Sequence, residues 1–397
     1  MITRRTIISL AISQVVCWGV TYYLVGAFGE DIAAEMGWGR DVVHAGFALG
    51  LLVMGLVSSK VGRLIDQRGG RSVMTTGSIL NAAGCVILAS CHDLASYFVA
   101  WSILGFGMRL SLYDAAFAAL ARIGGPAARR PISYVTLVGG LSSTVFWPIG
   151  HALAGQFGWR GAVFAYAVFA LLTIPLHLAI PTGRHEEPVR PAAPLPERPG
   201  AMAQGRLKAV LVLYALVVAL TNFLNAAMSA HIIAILGGFG LAAALSVQIA
   251  TLRGVGQSLA RLCEILFGRN INPVALNLFA CTVMPLAFMT GLFSGVSTPA
   301  AVAFAFFVGA GNGLLTVSRG TMPLVLFDHR SYGTLVGRLI APSFILGAAA
   351  PVVFATIIDR FGESGALGFA AACAGVMLAA SVVLMMLSRG STQKRGS

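Results

Sequence analysis

Apolar segments long enough to cross a lipid bilayer follow one another along almost the whole chain. Residues 164–180, for example, are apolar almost throughout and lack the alternation of apolar and polar residues that marks a membrane β-barrel. Only 10% of the residues are charged, whereas a soluble domain carries about 25%. A spanning helix needs roughly 20 mostly apolar residues. The sequence therefore predicts an all-α membrane protein with twelve transmembrane helices, at 6–29, 41–60, 72–91, 95–121, 132–156, 161–180, 209–234, 241–262, 273–293, 298–326, 332–357 and 366–388.

Several classes of function do not fit this composition. The formal net charge is +13, but the basic residues are spread over many short loops and form no single patch for nucleic acid. The six cysteines lie mostly inside apolar segments, without the spacing of metal ligands or of a disulfide framework. No cluster of His, Asp and Glu indicates a catalytic site. We therefore expect no nucleic-acid partner, no cofactor or metal, and no enzymatic activity.

The distribution of Lys and Arg predicts the orientation of the chain. If the N-terminus is cytoplasmic, 21 of the 27 basic residues lie in or beside cytoplasmic segments, and Arg40, Arg160 and Arg360 lie outside. This asymmetry places both termini in the cytoplasm. The N-terminal segment resembles a signal peptide, but its apolar run is long and has no clear cleavage site, so we expect a retained first helix. The predicted location is a bacterial inner membrane, with lipids as the surrounding partner.

A Pro-rich segment divides the chain into halves. Residues 181–208 hold six of the 16 prolines and show no apolar periodicity, which predicts a cytoplasmic linker between bundles of six helices at 1–180 and 209–397. Both halves contain the pattern R-L-x-[D/E]-x-x-x-G-R, at 63–71 and 261–269. Two related bundles with pseudo-symmetry are therefore expected.

The segment between predicted helices two and three has the pattern G-x-x-x-D-x-x-G-x-R, which resembles the loop signature of the major facilitator superfamily. The resemblance implies the major facilitator fold, transport by alternating access, and a loop network that latches one conformation. The alternative is a simple turn carrying positive charges. The residues predicted for the latch, from this loop and its repeat, are Gly62, Asp66, Gly69, Arg71, Arg261, Glu264 and Arg269.

A second resemblance concerns the substrate. Trp38 and Arg40 before helix two, and Arg253 within helix eight, resemble the monocarboxylate and oxalate–formate group of that superfamily. In that group an arginine of helix eight binds the substrate carboxylate, so the resemblance implies this role for Arg253. Helix eleven of this chain lacks the lysine of the oxalate carrier.

Four charged residues are predicted at membrane depth: Arg109, Asp114, Arg253 and Arg319. Each costs roughly 2.5–3.5 kcal/mol at a helix centre, so each should face a cavity or a partner. Arg109 and Arg253 near the midplane would suit a small carboxylate, with structural pairing as the alternative. Asp114 and Arg319 lie at similar depth on equivalent helices, which suggests a gate that breaks and forms, with a proton on Asp114 when it is unpaired.

Polar side chains on two further helices complete the predicted site. Trp18 and Tyr22 lie on one face of helix one, and Asn222 and Asn225 lie on helix seven, where their amides could orient a ligand. Interhelical hydrogen bonds without a ligand are the alternative.

The sequence thus predicts a monomeric secondary transporter that moves a small organic anion together with protons, which Asp114 would carry. Export of a drug-like or toxic compound, with structural arginines, is an open alternative. A membrane sensor built on a transporter fold is a second alternative from another class.

Overall fold

The computed structural model describes residues 2–185, 201–268 and 270–392, without the side chains of 201–204, 329 and 389–392. Every regular element in these ranges is a helix, and together they form twelve spans. Eight helical stretches are long and apolar enough to cross a membrane, and two of them, Leu94–Leu178 and Tyr332–Ser388, contain more than one span. The predicted fold class is confirmed.

The first half contains six spans, four of which are interrupted. Span 1 consists of Arg4–Cys17, a π-helical segment Trp18–Tyr22 and Leu24–Met36. The others are Arg40–Arg68 (span 2), Gly70–Ala89 (span 3), Leu94–Ser111 with Tyr113–Gly124 (span 4), Arg129–Gly139 with the first part of Ser142–Leu172 (span 5), and the remainder of that helix with Ile174–Leu178 (span 6). A 3-10 turn, Gly125–Ala128, joins spans 4 and 5.

The second half is more regular. Its spans are Ala201–Gly238 (span 7), Ala243–Phe267 (span 8), Pro273–Gly291 (span 9), Thr298–Leu326 (span 10), and the two parts of Tyr332–Thr392 (spans 11 and 12). A 3-10 turn, His329–Ser331, precedes span 11. Span 7 begins eight residues before its predicted start at 209, because residues 201–208 contain no proline and continue the helix. Of the predicted linker, residues 186–200 lie outside the described residues.

Matching glycines separate the last two spans of each half. Gly158 between spans 5 and 6 and Gly362 between spans 11 and 12 both have φ of 67°, in the region that favours glycine. Each follows a phenylalanine at the same place in its half. The Phe-Gly pair that occurs in both halves therefore corresponds to the same turn in each, as expected of two related bundles.

The two halves are in contact at one end of the bundle. We call this the basic end; it contains the turns around Arg68, Arg122, Arg129, Arg184 and Arg330. A buried apolar cluster there joins side chains of both halves, including Ile65, Phe117, Ile132, Met322, Tyr332, Val336 and Ile340. Among the described residues, every hydrogen bond or ion pair between the halves lies between this end and mid-depth. The structure is therefore a conformation closed at the basic end.

Candidate functional site

Span 4 is broken in the middle of the bundle. Leu112 has extended backbone angles (φ −77°, ψ −174°), so Leu94–Ser111 ends there and Tyr113–Gly124 begins. The break frees the carbonyl of Ser111, which accepts a hydrogen bond of 2.8 Å from the Gln14 side chain of span 1. A buried carbonyl without a partner would be costly, so Gln14 stabilises the interruption.

Span 1 is irregular at the same level. Its π-helical segment Trp18–Tyr22 brings three aromatic side chains together: the Trp18 ring lies 4.7 Å from Tyr22 and 5.0 Å from Tyr113 of span 4, centroid to centroid. Single π-helical turns are frequent at functional sites. The indole N–H of Trp18 is buried and has no hydrogen-bond partner among the described residues. A donor without a partner is therefore available in the middle of the molecule.

Asp114 and Arg319 form an ion pair between the two halves. Arg319 Nε donates to Asp114 Oδ1 at 3.1 Å, and Nη2 donates to the same oxygen. Asp114 is 8% exposed and lies in the first turn of the half-helix that starts at Tyr113. The positive end of a helix dipole favours a carboxylate at such a position. The two residues that the sequence placed at equal depth are in contact, and the role of the pair as a gate stays a prediction.

Arg253 lies on span 8 and points toward span 7. Its Nη1 donates to Ser229 Oγ at 2.9 Å, and its Nη2 donates to the Asn225 carbonyl at 3.2 Å and to Asn225 Oδ1. Its Nε has no partner, and no acidic side chain of the described residues pairs with it. The titratable groups of the other half within electrostatic range of Arg253 are the hydroxyls of Tyr23 and Tyr22, which are uncharged at neutral pH. Arg253, Asn225 and Tyr22, which the sequence predicted as site residues, thus face one region.

Arg109 is not part of that region. It is 2% exposed, and it donates to Ser58 Oγ at 2.9 Å and to the Ser58 carbonyl at 3.2 Å on span 2. The groups that influence its charge are Asp114, Arg319 and Tyr332. Arg109 therefore belongs with the ion pair on the basic side of mid-depth, and the predicted pairing of Arg109 with Arg253 around one ligand is absent from this conformation.

Asn222 has a hydrogen-bond partner of its own on span 11. Its side-chain nitrogen donates to the Ser343 carbonyl of span 11 at 2.8 Å. This hydrogen bond joins two spans of the same half. It agrees with the alternative given for the amides of span 7, interhelical hydrogen bonds without a ligand.

The predicted latch between spans 2 and 3 holds the start of span 11. Asp66 Oδ1 accepts from the Gly333 N–H at 2.9 Å, and Oδ2 accepts from the Thr334 N–H and hydroxyl at 2.7 Å each. Gly62 packs so closely on the Gly333 carbonyl that a Cβ would overlap it. Gly69, with φ of 86°, forms the turn, and Arg71 donates to the Ile180 carbonyl at 2.7 Å. The contacts of Asp66 and Gly62 join spans 2 and 11 at the basic end, and the role of this loop as a latch stays a prediction.

The repeated loop after span 8 is arranged differently. Arg261 is 1% exposed and donates to the Thr136 carbonyl of span 5 at 2.8 Å, inside the bundle. Glu264 is buried, and its Oε2 accepts no hydrogen bond from the described residues. Arg129 of span 5 donates to the carbonyls of Gly268 and Ile271. Arg269 lies outside the described residues. In this repeat the contacts across the halves are made by Arg261 and by Arg129 of span 5.

A pocket of about 350 Å³ lies between spans 1 and 5, away from the basic end, lined by Gly26, Ala27, Trp147, Pro148 and His151. Trp147 is 54% exposed there. In the described part of the chain, no group of three or more His, Cys, Asp or Glu side chains could hold a metal ion.

Comparison with known proteins decides the family. The model of the Major Facilitator Superfamily matches residues 10–337. The chain belongs to the major facilitator superfamily. Human monocarboxylate transporter 11 is 26% identical over 387 residues, which cover 94% of this chain and 72% of that protein. This transporter is therefore a multi-pass membrane protein of a family of secondary transporters.

Solved structures show the same fold at low sequence identity. The human organic anion transporter MFSD10 (TETRAN) has a TM-score of 0.74 and 15% identity over 96% of this chain and 99% of its own. The proton:xylose symporter XylE has a TM-score of 0.75 and 10% identity over 94% of each chain. FucP in the outward conformation has a TM-score of 0.67 and 13% identity over 96% of this chain and 99% of its own.

The predicted site did not include two residues that organise this facilitator. Gln14 stabilises the break in span 4. Arg122 donates to the Asp66 carbonyl at 3.1 Å and to the carbonyls of Thr182 and Gly183 at 2.9 Å, so it fixes the latch loop to the end of span 6. Arg122 was visible in the sequence only as one of many basic loop residues, and no local pattern gave its partners.

Proposed function

We propose that this protein is a secondary active transporter that carries a small organic anion by alternating access, with the anion's carboxylate bound by Arg253. The observation that carries the proposal is the environment of Arg253: it has one free N–H, neutral partners on span 7, and no acidic partner among the described residues. A guanidinium at membrane depth is costly unless an opposite charge accompanies it. A carboxylate substrate supplies that charge and matches the planar donor fork of arginine.

Neighbouring groups fit such a substrate. The hydroxyls of Tyr22 and Tyr23 lie within electrostatic range of Arg253, and Trp18 offers an unpaired N–H beside Tyr22. A carboxylate on Arg253 in one half and a polar group near Trp18 in the other would connect the two bundles. Contact with both halves is what a substrate needs in order to favour their movement around it. The names of two similar proteins, a monocarboxylate transporter and an organic anion transporter, agree with this class.

We further propose which side of the membrane the basic end faces and how transport is coupled to protons. The excess of Lys and Arg supports a cytoplasmic position for the basic end and both termini, and the proposed location is a bacterial inner membrane. The present conformation would then be closed to the cytoplasm. A proton on Asp114 would neutralise its carboxylate and weaken the pair with Arg319, so the gate would open more readily. We propose the monomer as the working unit.

The test is uptake into proteoliposomes. A panel of radiolabelled mono- and dicarboxylates is offered with and without an imposed pH gradient. We expect uptake of at least one carboxylate, increased by the gradient, and a loss of at least tenfold in Arg253→Ala, since a charged hydrogen-bond partner contributes about 1.5–3 kcal/mol. Arg40→Ala is the matched control, because Arg40 forms only an exposed ion pair with Glu30 at 2.8 Å. No carboxylate flux, or full flux in Arg253→Ala, would contradict the proposal.

The second candidate is export of a drug-like compound. The pocket between spans 1 and 5, with the exposed indole of Trp147, favours it, because a flat apolar ligand could stack there. This function predicts that Trp147→Ala abolishes transport of lipophilic compounds while Arg253→Ala does not. The same two variants therefore separate the candidates.

A further inference from the structure

Two arginines of span 8 follow one another toward the basic end. Arg253 and Arg261 are eight residues apart on a continuous helix, which places them about 12 Å apart along its axis and roughly 80° apart around it. Gln257 lies between them. Neither arginine has an acidic partner among the described residues. The sequence assigned Arg261 to a loop latch, but its side chain lies inside the bundle.

Both arginines lie along the seam between spans 8 and 10. The backbone of Arg253 packs on Gly309, and the backbone of Gln257 packs on Gly313, where no Cβ would fit. Arg261 Nε then points to the Gly313 carbonyl at 3.5 Å. This close packing holds span 8 against span 10, so the two arginines keep fixed places along the same helix.

The only short hydrogen bond of Arg261 in the described structure crosses to the other half. Its Nη1 donates to the Thr136 carbonyl of span 5 at 2.8 Å, and the hydroxyls of Tyr23 and Tyr113 lie within electrostatic range. Thr136 precedes the interruption of span 5 that follows Gly139. In this conformation a backbone carbonyl thus occupies the donor face of a buried guanidinium.

Alternating access must remove that carbonyl. For the basic end to open, span 5 has to separate from span 8, and the bond from Arg261 to Thr136 breaks because it joins the two halves. Arg261 is then a cation at the wall of a water-filled opening. Among the described residues no acidic side chain forms an ion pair with Arg261, and Glu264, the one acidic side chain of span 8, forms no ion pair in this state.

We propose that Arg261 is a second anion-binding station, one that takes the carboxylate from Arg253 when the basic end opens. The inference rests on the proposed anion transport and adds a residue, a location and an order of events to it. The Thr136 carbonyl holds the station closed in the present state, and the substrate carboxylate replaces it in the other.

The experiment measures the electrostatic potential beside Arg261, and it does not require the natural substrate to be known. Gln257→Cys, in a chain whose six native cysteines are replaced by serine, places one thiol a single turn from each arginine. Asp66→Asn is included in every variant so that the basic end can open. The probes are two methanethiosulfonates, one with an anionic sulfonatoethyl group and one with a cationic trimethylammonioethyl group. Each is applied to vesicles of both orientations, and the ratio of their rates is measured.

We expect the anionic reagent to be preferred from the basic end and Arg261→Gln to reduce that preference roughly three- to tenfold, the effect of one charge removed at about one helical turn. Arg261→Lys should keep most of the preference. Arg129→Gln is the matched control, because it also removes a hydrogen bond that closes this end but should leave the ratio unchanged. If Arg261→Gln does not reach the membrane, Arg261→His should show the preference at about pH 5.5 and lose it at about pH 8.

The second-station proposal would be contradicted by an unchanged ratio of labelling rates in Arg261→Gln, or by equal effects of Arg261→Gln and Arg129→Gln. The absence of any labelling from the basic end would also contradict it. Arg253→Gln separates this result from the proposed function: it also removes one charge a single turn from the thiol, so it should lower the anion preference from both ends. If Arg253→Gln has this effect and Arg261→Gln has none, anion binding at Arg253 stands and the second station falls. If Arg253→Gln has no effect, the proposed function itself fails.

Discussion

Arg319 of span 10 donates two hydrogen bonds to one carboxylate oxygen of Asp114, at the start of a half-helix in the opposite half of the molecule. The pair is closed in the conformation in which Asp66 also holds span 11. The carboxylate therefore has two favourable electrostatic partners here, a guanidinium and a helix N-terminus. Opening of the basic end removes the first.

Asp114→Asn should uncouple transport from the proton gradient. The amide that replaces the carboxylate cannot exchange a proton, and it pairs with Arg319 only as a neutral acceptor. We expect uphill uptake driven by a pH gradient to fall to the background level, whereas downhill exchange of the same carboxylate substrate continues. Uptake and exchange in proteoliposomes measure the two. Glu30→Gln, which removes the exposed ion pair with Arg40, is the control and should preserve both. Normal uphill uptake in Asp114→Asn would remove the coupling role.

Asp66→Asn should shift the molecule toward opening at the basic end. Asn presents an N–H₂ group where Asp66 accepts from Gly333 and Thr334, so at least one charge-assisted hydrogen bond is lost, at a cost of about 2 kcal/mol. Spin labels at the exposed positions Lys60 and Arg338 should report a longer mean distance by double electron–electron resonance. Thr334→Val, which removes only the hydroxyl donor, should give a smaller change. Identical distance distributions in all three proteins would show that this contact does not control the state.

The sequence predicted the helices well because the bilayer makes length and apolarity decisive, and the paired glycine turns at Gly158 and Gly362 could be recognised as a repeat. The interruption at Leu112 could not. No Pro or Gly marks it, and the Gln14 side chain that stabilises it lies 97 residues away in the chain. On a regular helix Arg109 and Asp114 would lie about 140° apart around the axis. Because the helix is interrupted between them, that angle does not apply.

The two copies of the repeated loop also show that the sequence pattern does not predict the partners of the side chains. The pattern correctly indicated equivalent positions, but Asp66 accepts hydrogen bonds from span 11, whereas Oε2 of the equivalent Glu264 accepts none from the described residues. A nine-residue pattern fixes where the chain turns. The partner of each side chain depends on which helix end the other half brings to it, and the pattern carries no information about that.

Gly62→Ala should also favour opening at the basic end, for a steric reason. A Cβ at residue 62 would overlap the Gly333 carbonyl, so spans 2 and 11 must separate locally. We expect the distance between labels at Lys60 and Arg338 to increase as in Asp66→Asn, although no charge has changed. Gly155→Ala is the matched control, because no atom lies within 4 Å of a Cβ at that position. A change in Gly155→Ala of the same size would indicate a general effect of alanine in these helices.

Gln14→Leu should destabilise the fold through the break in span 4. Leu keeps much of the volume of Gln, but it leaves the Ser111 carbonyl buried without a donor, which costs about 1–3 kcal/mol. We expect a lower midpoint of thermal unfolding in detergent, followed by tryptophan fluorescence. Gln248→Leu, at an exposed position of span 8, should leave the midpoint unchanged. The broken helix also places Asp114 at a half-helix N-terminus, so Gln14→Leu should impair proton-driven uptake more than exchange. Equal midpoints for the two variants would mean that another group satisfies the Ser111 carbonyl and that Gln14 does not stabilise the interruption.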